Sequence, residues 1–393
     1  MSIFFEKAMN RLNLPFIILV SLFLFSGCEQ QTAIQPSGTT VNIGFVGPFS
    51  GPDDAQGEES LKGVKTIMQL QPLLHNGDAI ELVIENDNND PKLTAKALRK
   101  LIAEDKVAAI LLASGSHAAL KAVSVADTGK TPVIALLATH PDVIANREFV
   151  SQLCLDDKFQ GSVAALFVAD ELLIEKVAVF TDPSSAYSIY LGAEFMRKYE
   201  HVGGEITEVV SLGNHQADYA QIMEDLQQQG AELLYFPLEA KYVMEIVKAA
   251  NQIGWSVEMM GSDGLLASVI NKYPEDVSYL DGIYATDFFG TVKDADSSND
   301  FAKRARKAYY SLFHGTPSSY TALGAEGYAV LHNAMDRCEE SADQICINRK
   351  IRSTRKIQGF MSKISIRADG KAERPLFVNK IRNGVLESVV KVY

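Results

Sequence analysis

Short apolar runs of strand length alternate with longer segments of helical periodicity along most of the chain. In the first half the apolar runs are Val41–Val46, Ile80–Ile84, Ala108–Leu112 and Pro132–Leu137. Each run is followed by a segment in which apolar residues recur at helical spacing. Buried strands joined by crossover helices are typical of parallel sheets covered on both faces, so the pattern predicts an α/β fold.

The same alternation restarts near residue 160. Further strands are predicted at Val177–Phe180, Glu205–Val210 and Leu233–Phe236, with helical segments between them. These units are too many for one sheet. We therefore expect two similar lobes, each a parallel sheet flanked by helices.

The first thirty residues have the features of a secretory signal. Lys7 and Arg11 precede the apolar run Phe16–Phe25. Ten residues rise only about 15 Å as a helix, about half of a bilayer, so this run is too short for a permanent membrane span. Small residues follow it, as in a cleaved signal peptide.

The end of this signal resembles a bacterial lipobox. Cys28 follows Ser26 and Gly27, and Phe25 stands where this motif usually has leucine. The resemblance implies that residues 1–27 are removed and that Cys28 carries diacylglycerol, with residues 28–40 as a polar tether. A plain signal peptide with a coincidental cysteine is the alternative.

Charge and cysteine content narrow the class of protein. The 393 residues have a formal net charge of −12, which disfavours a nucleic-acid partner. No later segment has 18 consecutive apolar residues. Cys338 and Cys346 are predicted to pair in an oxidising compartment, although the sequence leaves their redox state open, and Cys154 is expected to be a buried free thiol.

Polar residues follow the predicted strands, where parallel sheets bind ligands and helix N-termini present unpaired N–H groups. Hydroxyl groups and helix N–H groups suit a carboxylate, and a buried acid suits an ammonium group. This set favours a small zwitterionic ligand. The segments are Gly47–Gly51, Ala113–Ser116, Ala138–Pro141, Asp182–Tyr187, Pro237–Glu239 and Gly261–Gly264.

Six segments, in order, resemble type I periplasmic binding proteins of the branched-chain amino-acid (leucine/isoleucine/valine-binding-like) class of ABC-transporter substrate-binding proteins. The resemblance covers essentially all of residues 41–393. It implies two Rossmann-like lobes, 41–155 with 288–358 and 156–287 with 359–393, joined by a hinge of three crossings. The segments are IGFVGPFSG, NDPKLTAKALRKLIAEDKVAAILLASGS, ATHPDVI, DPSSAYSIYLGAEF, MMGSDG and SSYTALGAEGYAVLHNAM.

The resemblance also assigns ligand contacts by position. Ser114 and Thr139 match the residues that hold the ligand carboxylate, and Thr139 with the Leu137 carbonyl matches the ammonium partners. Asp263 matches the acid that pairs with the ammonium group, and Tyr187 matches an aromatic residue of the second lobe. Helix capping by Ser114 and Thr139, a turn at Asp263 and lobe packing by Tyr187 are the structural alternatives.

Two positions depart from the family pattern. Glu239 and Gln56 stand where leucine-binding members have aromatic side chains, so we expect a polar or cationic ligand in preference to leucine. Glu239 pointing to solvent is the alternative. Ala138, between the two predicted contact residues of its loop, is included in the predicted site.

The resemblance implies the substrate-binding component of an ABC importer. Its partners would be a small-molecule ligand, the permease and ATPase subunits, and a membrane on the periplasmic side of a bacterial envelope. We expect a monomer without catalytic residues, cofactor or metal, since no zinc-ligand or phosphate-loop spacing is found. A periplasmic ligand sensor and an exported hydrolase using Ser116 are the alternatives.

Overall fold

The computed structural model describes residues 36–212, 218–291 and 299–393. The predicted signal peptide and Cys28 lie outside these residues. The described residues form strands in the following order: Thr40–Gly47 (β1), Ala79–Asn86 (β2), Ile110–Leu112 (β3), Val133–Ala135 (β4), Val150–Gln152 (β5), Lys176–Thr181 (β6), Glu205–Ser211 (β7), Leu233–Phe236 (β8), Glu258–Gly261 (β9), Tyr284–Asp287 (β10), Ile357–Gln358 (β11), Lys363–Ile366 (β12), Ala372–Glu373 (β13), Leu376–Arg382 (β14) and Val385–Val392 (β15).

Helices connect most of these strands. Leu166 is followed by a short π-helical turn, Phe167–Glu171, and two 3₁₀ segments lie at Pro141–Val143 and Pro274–Leu280. The α-helices are Asp54–Leu70 (α1), Pro91–Ala103 (α2), Ser116–Thr128 (α3), Asp157–Leu166 (α4), Ala186–His201 (α5), Tyr219–Gln228 (α6), Ala240–Gln252 (α7), Leu265–Lys272 (α8), Asp300–Phe313 (α9), Ser319–Asp336 (α10) and Gln344–Ile351 (α11).

Two sheets organise the described chain. The first has the strand order β2-β1-β3-β4-β5, and all its pairs are parallel. The second has the order β15-β14-β10-β9-β8-β6-β7, in which β14 pairs antiparallel with both of its neighbours. The two-lobed α/β fold with parallel sheets is therefore confirmed, and in the second lobe the antiparallel strands β14 and β15 extend the parallel strands β6–β10.

The third crossing between lobes lies later than expected. β12 pairs with β11, and Lys371 forms a parallel bridge with Gln152 of the first sheet. The chain therefore stays beside the first lobe beyond 358 and crosses at Arg374 and Pro375, just before β14. A small sheet of β11, β12 and β13 fills this region, which the sequence pattern did not predict.

Local sequence places the helix N-termini at the carboxyl edges of the sheets. The Asp90 carboxylate accepts the N–H groups of Lys92 and Leu93 at the start of α2, with Pro91 in the first turn. Ser185 caps α5 in the same way. Such caps fix the residue at which each helix begins after its strand, and so fix which N–H groups face the space between the lobes.

A buried ion pair lies at the third crossing. Arg374 contacts Glu326 of α10 at 2.8 Å, and both side chains are at most 1% exposed. Arg374 also donates to the carbonyl of Phe288, just after β10, at 3.1 Å. Burial raises the pKa of Glu326, which the guanidinium partly offsets. Arg374 thereby joins two of the segments that cross between the lobes, the one after β10 and the one before β14, and pairs with α10.

The described residues contain one disulfide and one free cysteine. Cys338, just after α10, and Cys346, in α11, form a disulfide with their Cα atoms 6.0 Å apart. Cys154 is a buried free thiol, and its Sγ lies 3.1 Å from the carbonyl oxygen of Ala138.

Candidate functional site

A cavity lies between the two lobes at the carboxyl ends of their strands. Its volume is about 130 Å³, close to the ~150 Å³ of an engineered protein cavity that holds benzene. It is lined by the first turns of α3, α7 and α10, by α8, and by the loops after β4, β9 and β10. Residues from both lobes therefore surround a space suited to a small solute.

The first-lobe wall is built around the N-terminus of α3. Gly115, Ser116 and His117 line the cavity, and the first-turn N–H groups have no acceptor within the helix. Ser116 Oγ accepts the backbone N–H groups of Thr139 and His140, each at 3.1 Å. Ser116 thereby ties the loop after β4 to the start of α3.

Ser114 does not line the cavity. It is fully buried, and its hydroxyl donates to the carboxylate of Asp87, which also accepts a hydrogen bond from Thr94 at 2.7 Å. Its hydroxyl is thus engaged inside the first lobe. The hydroxyl at this strand end that faces the cavity belongs to Ser116.

The loop after β4 brings two of its three predicted residues to the cavity. Leu137 and Thr139 line it, and Thr139 Oγ1 is buried near the Asp157 carboxyl without a well-aligned hydrogen bond among the described residues. Ala138 is buried behind them, and its carbonyl accepts a hydrogen bond from the Gln152 side-chain amide at 2.5 Å. An unpartnered hydroxyl at this position is free to bond a ligand.

The second-lobe wall contains a hydrogen-bonded acid. Asp263, in the loop after β9, accepts the hydroxyl proton of Tyr187 at 2.7 Å, and both residues line the cavity. The Asp263 N–H donates to the side-chain oxygen of Gln160 at 3.3 Å. Burial raises the pKa of Asp263, and the bonds from Tyr187 and Gln160 partly offset this. The cavity thus contains a carboxylate without a cationic partner among the described residues.

Glu239 and Gln56 also line the cavity, from opposite lobes. Glu239 is partly exposed and pairs with Lys241 at 2.9 Å. Burial raises its pKa, as does the charge of Asp53 across the cleft. The side-chain oxygen of Gln56 is buried and without a partner in the described part of the chain.

Four further residues at the cavity were not predicted. Asp287, at the end of β10, is buried, and burial together with the charge of Asp263 raises its pKa to about 7. Tyr320 and Lys272 bridge the lobes, and Asp53 precedes α1. Ligands of parallel sheets bind at the carboxyl ends of the strands, so Asp287 would have been predicted if β10 had been recognised in the sequence. No sequence pattern marks Lys272 and Tyr320 as residues that bridge the lobes.

Direct contacts join the two lobes beside the cavity. Lys272 of α8 pairs with Asp54 of α1 at 2.5 Å and donates to the carbonyl of Gly51 at 3.0 Å. The hydroxyl groups of Tyr320 and Ser268 are 2.8 Å apart. The cleft is therefore held together on one side by polar contacts, with the polar cavity beneath them.

This arrangement defines a two-lobed protein that encloses a small solute. The chain belongs to the periplasmic binding protein family, whose model matches residues 40–385. This family consists of solute-binding proteins and is not an enzyme family. The predicted family membership and fold are confirmed.

Similar proteins include transporter components. An amino acid binding protein from Pseudomonas aeruginosa is 24% identical over 249 residues, which span 63% of this chain and 66% of that protein. A leucine binding protein from Thermotoga maritima is 26% identical with a TM-score of 0.82, covering 90% of this chain and 98% of that one. A branched-chain amino acid transporter substrate binding protein from Streptococcus pneumoniae, in complex with isoleucine, is 22% identical with a TM-score of 0.80, covering 90% and 99%.

Membrane-spanning helices and metal-binding clusters are both absent from the described residues. None of the helices in 36–212, 218–291 and 299–393 has the length and apolar character needed to cross a membrane. Within the same ranges, no group of three or more histidine, cysteine, aspartate or glutamate side chains is arranged to hold a metal ion.

Proposed function

We propose that this chain is the substrate-binding component of an ABC importer and binds an amino acid, or an amino-acid-like solute, in the cavity between its lobes. The observation that carries the proposal is the pair of Tyr187 and Asp263 on one wall, opposite Thr139 and the N-terminus of α3 on the other. Unpaired N–H groups suit a carboxylate, and a desolvated acid suits an ammonium group. The names of the matched relatives support the same ligand class.

The mechanism is closure of the lobes on the ligand. A ligand that bonds Thr139 on the first lobe and Asp263 on the second makes all of its contacts only when the lobes are together. It therefore binds the closed state more tightly and shifts the population toward it. The closed form then docks on a membrane permease, whose ATPase subunits supply the energy for import.

We also propose that the protein is exported and attached to a membrane. A lipid on Cys28 would hold the protein at the periplasmic side of a bacterial membrane through the tether of residues 28–40. This location keeps a monomeric binding protein within reach of its permease, and mass spectrometry of the mature N-terminus tests the lipid directly.

The test of ligand class uses Asp263. Calorimetric titration of the purified protein with a panel of L-amino acids should identify a ligand, and Asp263→Asn should weaken its binding by about 2–5 kcal/mol, because the ligand ammonium is then buried without its partner charge. The corresponding carboxylic acids, which lack the α-ammonium group, should bind no better to the wild type than to the variant.

The control is Asp225→Asn, an exposed aspartate on α6 that does not line the cavity. Its affinity for the same ligand should equal that of the wild type. An unchanged affinity in Asp263→Asn, with the fold intact by circular dichroism, would remove Asp263 from the site. Failure of every α-amino acid to bind would refute the proposed ligand class.

A further inference from the structure

The cavity has more negative than positive charge. Its lining includes four carboxylates, Asp53, Glu239, Asp263 and Asp287, and two ammonium groups, Lys241 and Lys272. Lys241 already pairs with Glu239. Three of the lining carboxylates have no cationic partner within 4 Å among the described residues.

Lys272 does not compensate this charge. Its ammonium group contacts Asp54, which lies outside the cavity lining, at 2.5 Å and the Gly51 carbonyl at 3.0 Å. It is therefore held by the first lobe at the edge of the cleft. An amino acid with a neutral side chain brings one ammonium group and one carboxylate, so it leaves the excess negative charge unchanged.

The excess charge lies at two places. Asp263 and Asp287 are close enough that the charge of one raises the pKa of the other. At the second place, Asp53 of the first lobe raises the pKa of Glu239 of the second lobe, so these two carboxylates repel each other across the cleft. The unpartnered oxygen of Gln56 also lines the cavity, as does the buried, unpartnered hydroxyl of Thr139.

We propose that the ligand is an amino acid with a cationic side chain, whose side-chain cation lies between Asp53 and Glu239. The proposal rests on the proposed function, in which Asp263 pairs with the α-ammonium group and Thr139 bonds the ligand from the first lobe. A side-chain cation neutralises the repulsion between carboxylates of opposite lobes, so it favours closure as well as binding. The Gln56 oxygen supplies an acceptor for a guanidinium or ammonium N–H.

The test compares L-arginine with L-citrulline, which has nearly the same shape but no side-chain charge. Calorimetry at moderate salt should give an affinity for arginine at least about tenfold higher than for citrulline or leucine, since the charge pairs form away from bulk water. Arginine binding should also weaken more steeply with added KCl than citrulline binding, because salt screens only the charged pair.

Two variants test whether Asp53 and Glu239 bind the side-chain cation. Asp53→Asn should lower the arginine-to-citrulline ratio toward one, mainly through weaker arginine binding. Glu239→Gln should lower it further, because Lys241 is then left in the cavity without its carboxylate. Asp225→Asn is the matched control, and its ratio should equal that of wild type.

The outcomes separate this inference from the proposed function. Citrulline or leucine binding as tightly as arginine overturns the cationic side chain and leaves amino-acid binding intact. A ratio that stays the same in both Asp53→Asn and Glu239→Gln also overturns it. Absence of binding by every α-amino acid overturns both proposals.

Discussion

Thr139 lines the cavity, and Asp157, the first residue of α4, lies buried beside it and donates its backbone N–H to the Thr139 carbonyl at 3.1 Å. Thr139 Oγ1 and both carboxylate oxygens of Asp157 are buried, and none of them makes a well-aligned hydrogen bond within the described residues. Burial raises the pKa of Asp157 well above its ordinary value, with a further contribution from Asp263. An unsatisfied buried group costs about 1–3 kcal/mol, so a ligand that bonds the Thr139 hydroxyl in the cavity recovers part of this cost.

Asp287 gives the unliganded protein a pH-dependent stability. Its pKa is about 7 in the fold, against 3.8 for an ordinary aspartate. The folded chain therefore binds this proton more tightly than the unfolded chain. The resulting stabilisation is complete below about pH 4 and is lost as the pH rises through about 7.

This titration is testable with Asp287→Asn, which removes it. Between about pH 5 and pH 8 the thermal midpoint of the unliganded wild type should fall more than that of the variant. Differential scanning fluorimetry without ligand measures both. Equal pH slopes in the two proteins would show that Asp287 does not titrate in this range.

Single residues were predictable where the sequence marks a strand end. Thr139, Tyr187 and Asp263 line the cavity, as do Gln56 and Glu239, although their contact with a ligand stays a prediction. Ser114 and Ser116 are two residues apart, and only the backbone path into α3 determines which hydroxyl faces the cavity. Sequence spacing does not contain that information.

At the scale of elements, the unit of β3, its following turn and α3 separates structural from binding roles. Ser114 bonds Asp87 inside the lobe, whereas Ser116 holds the loop of Thr139. The two serines therefore act on different properties of the protein, stability for the first and the shape of the cavity for the second.

A pair of alanine variants tests this division. Ser114→Ala should destabilise the fold by about 1–3 kcal/mol in urea, since Asp87 loses a buried donor, with little change in ligand affinity. Ser116→Ala should weaken ligand binding more than Ser114→Ala does, because two N–H groups of the Thr139 loop lose their acceptor. A large loss of ligand affinity in Ser114→Ala would instead show that Ser114 contacts the ligand.

The C-terminal hairpin has a clear signal in the sequence, but the alternation of strands and helices does not indicate it. β14 and β15 are joined at Asn383 and Gly384, both with positive φ (49° and 72°). Asn-Gly between two apolar segments is a strong signal for a two-residue hairpin turn, because both central residues adopt left-handed backbone. Alternation of βα units predicted the parallel strands correctly, but it has no bearing on this antiparallel pair.

At the scale of the whole molecule, polar side chains join the lobes at the cavity and at the crossings. Lys272 and Tyr320 contact the opposite lobe beside the cavity, while Arg374 and Glu326 lie at a crossing. The two lobes were predictable, because the α/β pattern restarts within the chain, whereas their discontinuous composition was implied only by the family resemblance. The third boundary was not predictable, since short strands such as β12 and β13 give almost no periodic signal.

Lys272→Ala should shift the unliganded protein toward the open state. Loss of the bonds to Asp54 and Gly51 removes an interaction worth about 0.2–1 kcal/mol, so ligand affinity should fall only about two- to fivefold. Small-angle X-ray scattering without ligand should show a larger radius of gyration than for wild type. Lys303→Ala, on the exposed face of α9, is the control, and identical scattering by Lys272→Ala and wild type would contradict the prediction.

The second sheet is completed by residues from the far end of the chain. β10 pairs with β9 on one side and with β14 on the other, so a chain that lacks Leu376–Arg382 leaves one edge of Tyr284–Asp287 unpaired. Unpaired edges of this kind recruit strands from other molecules. Premature termination before Leu376 should therefore give a product prone to self-association.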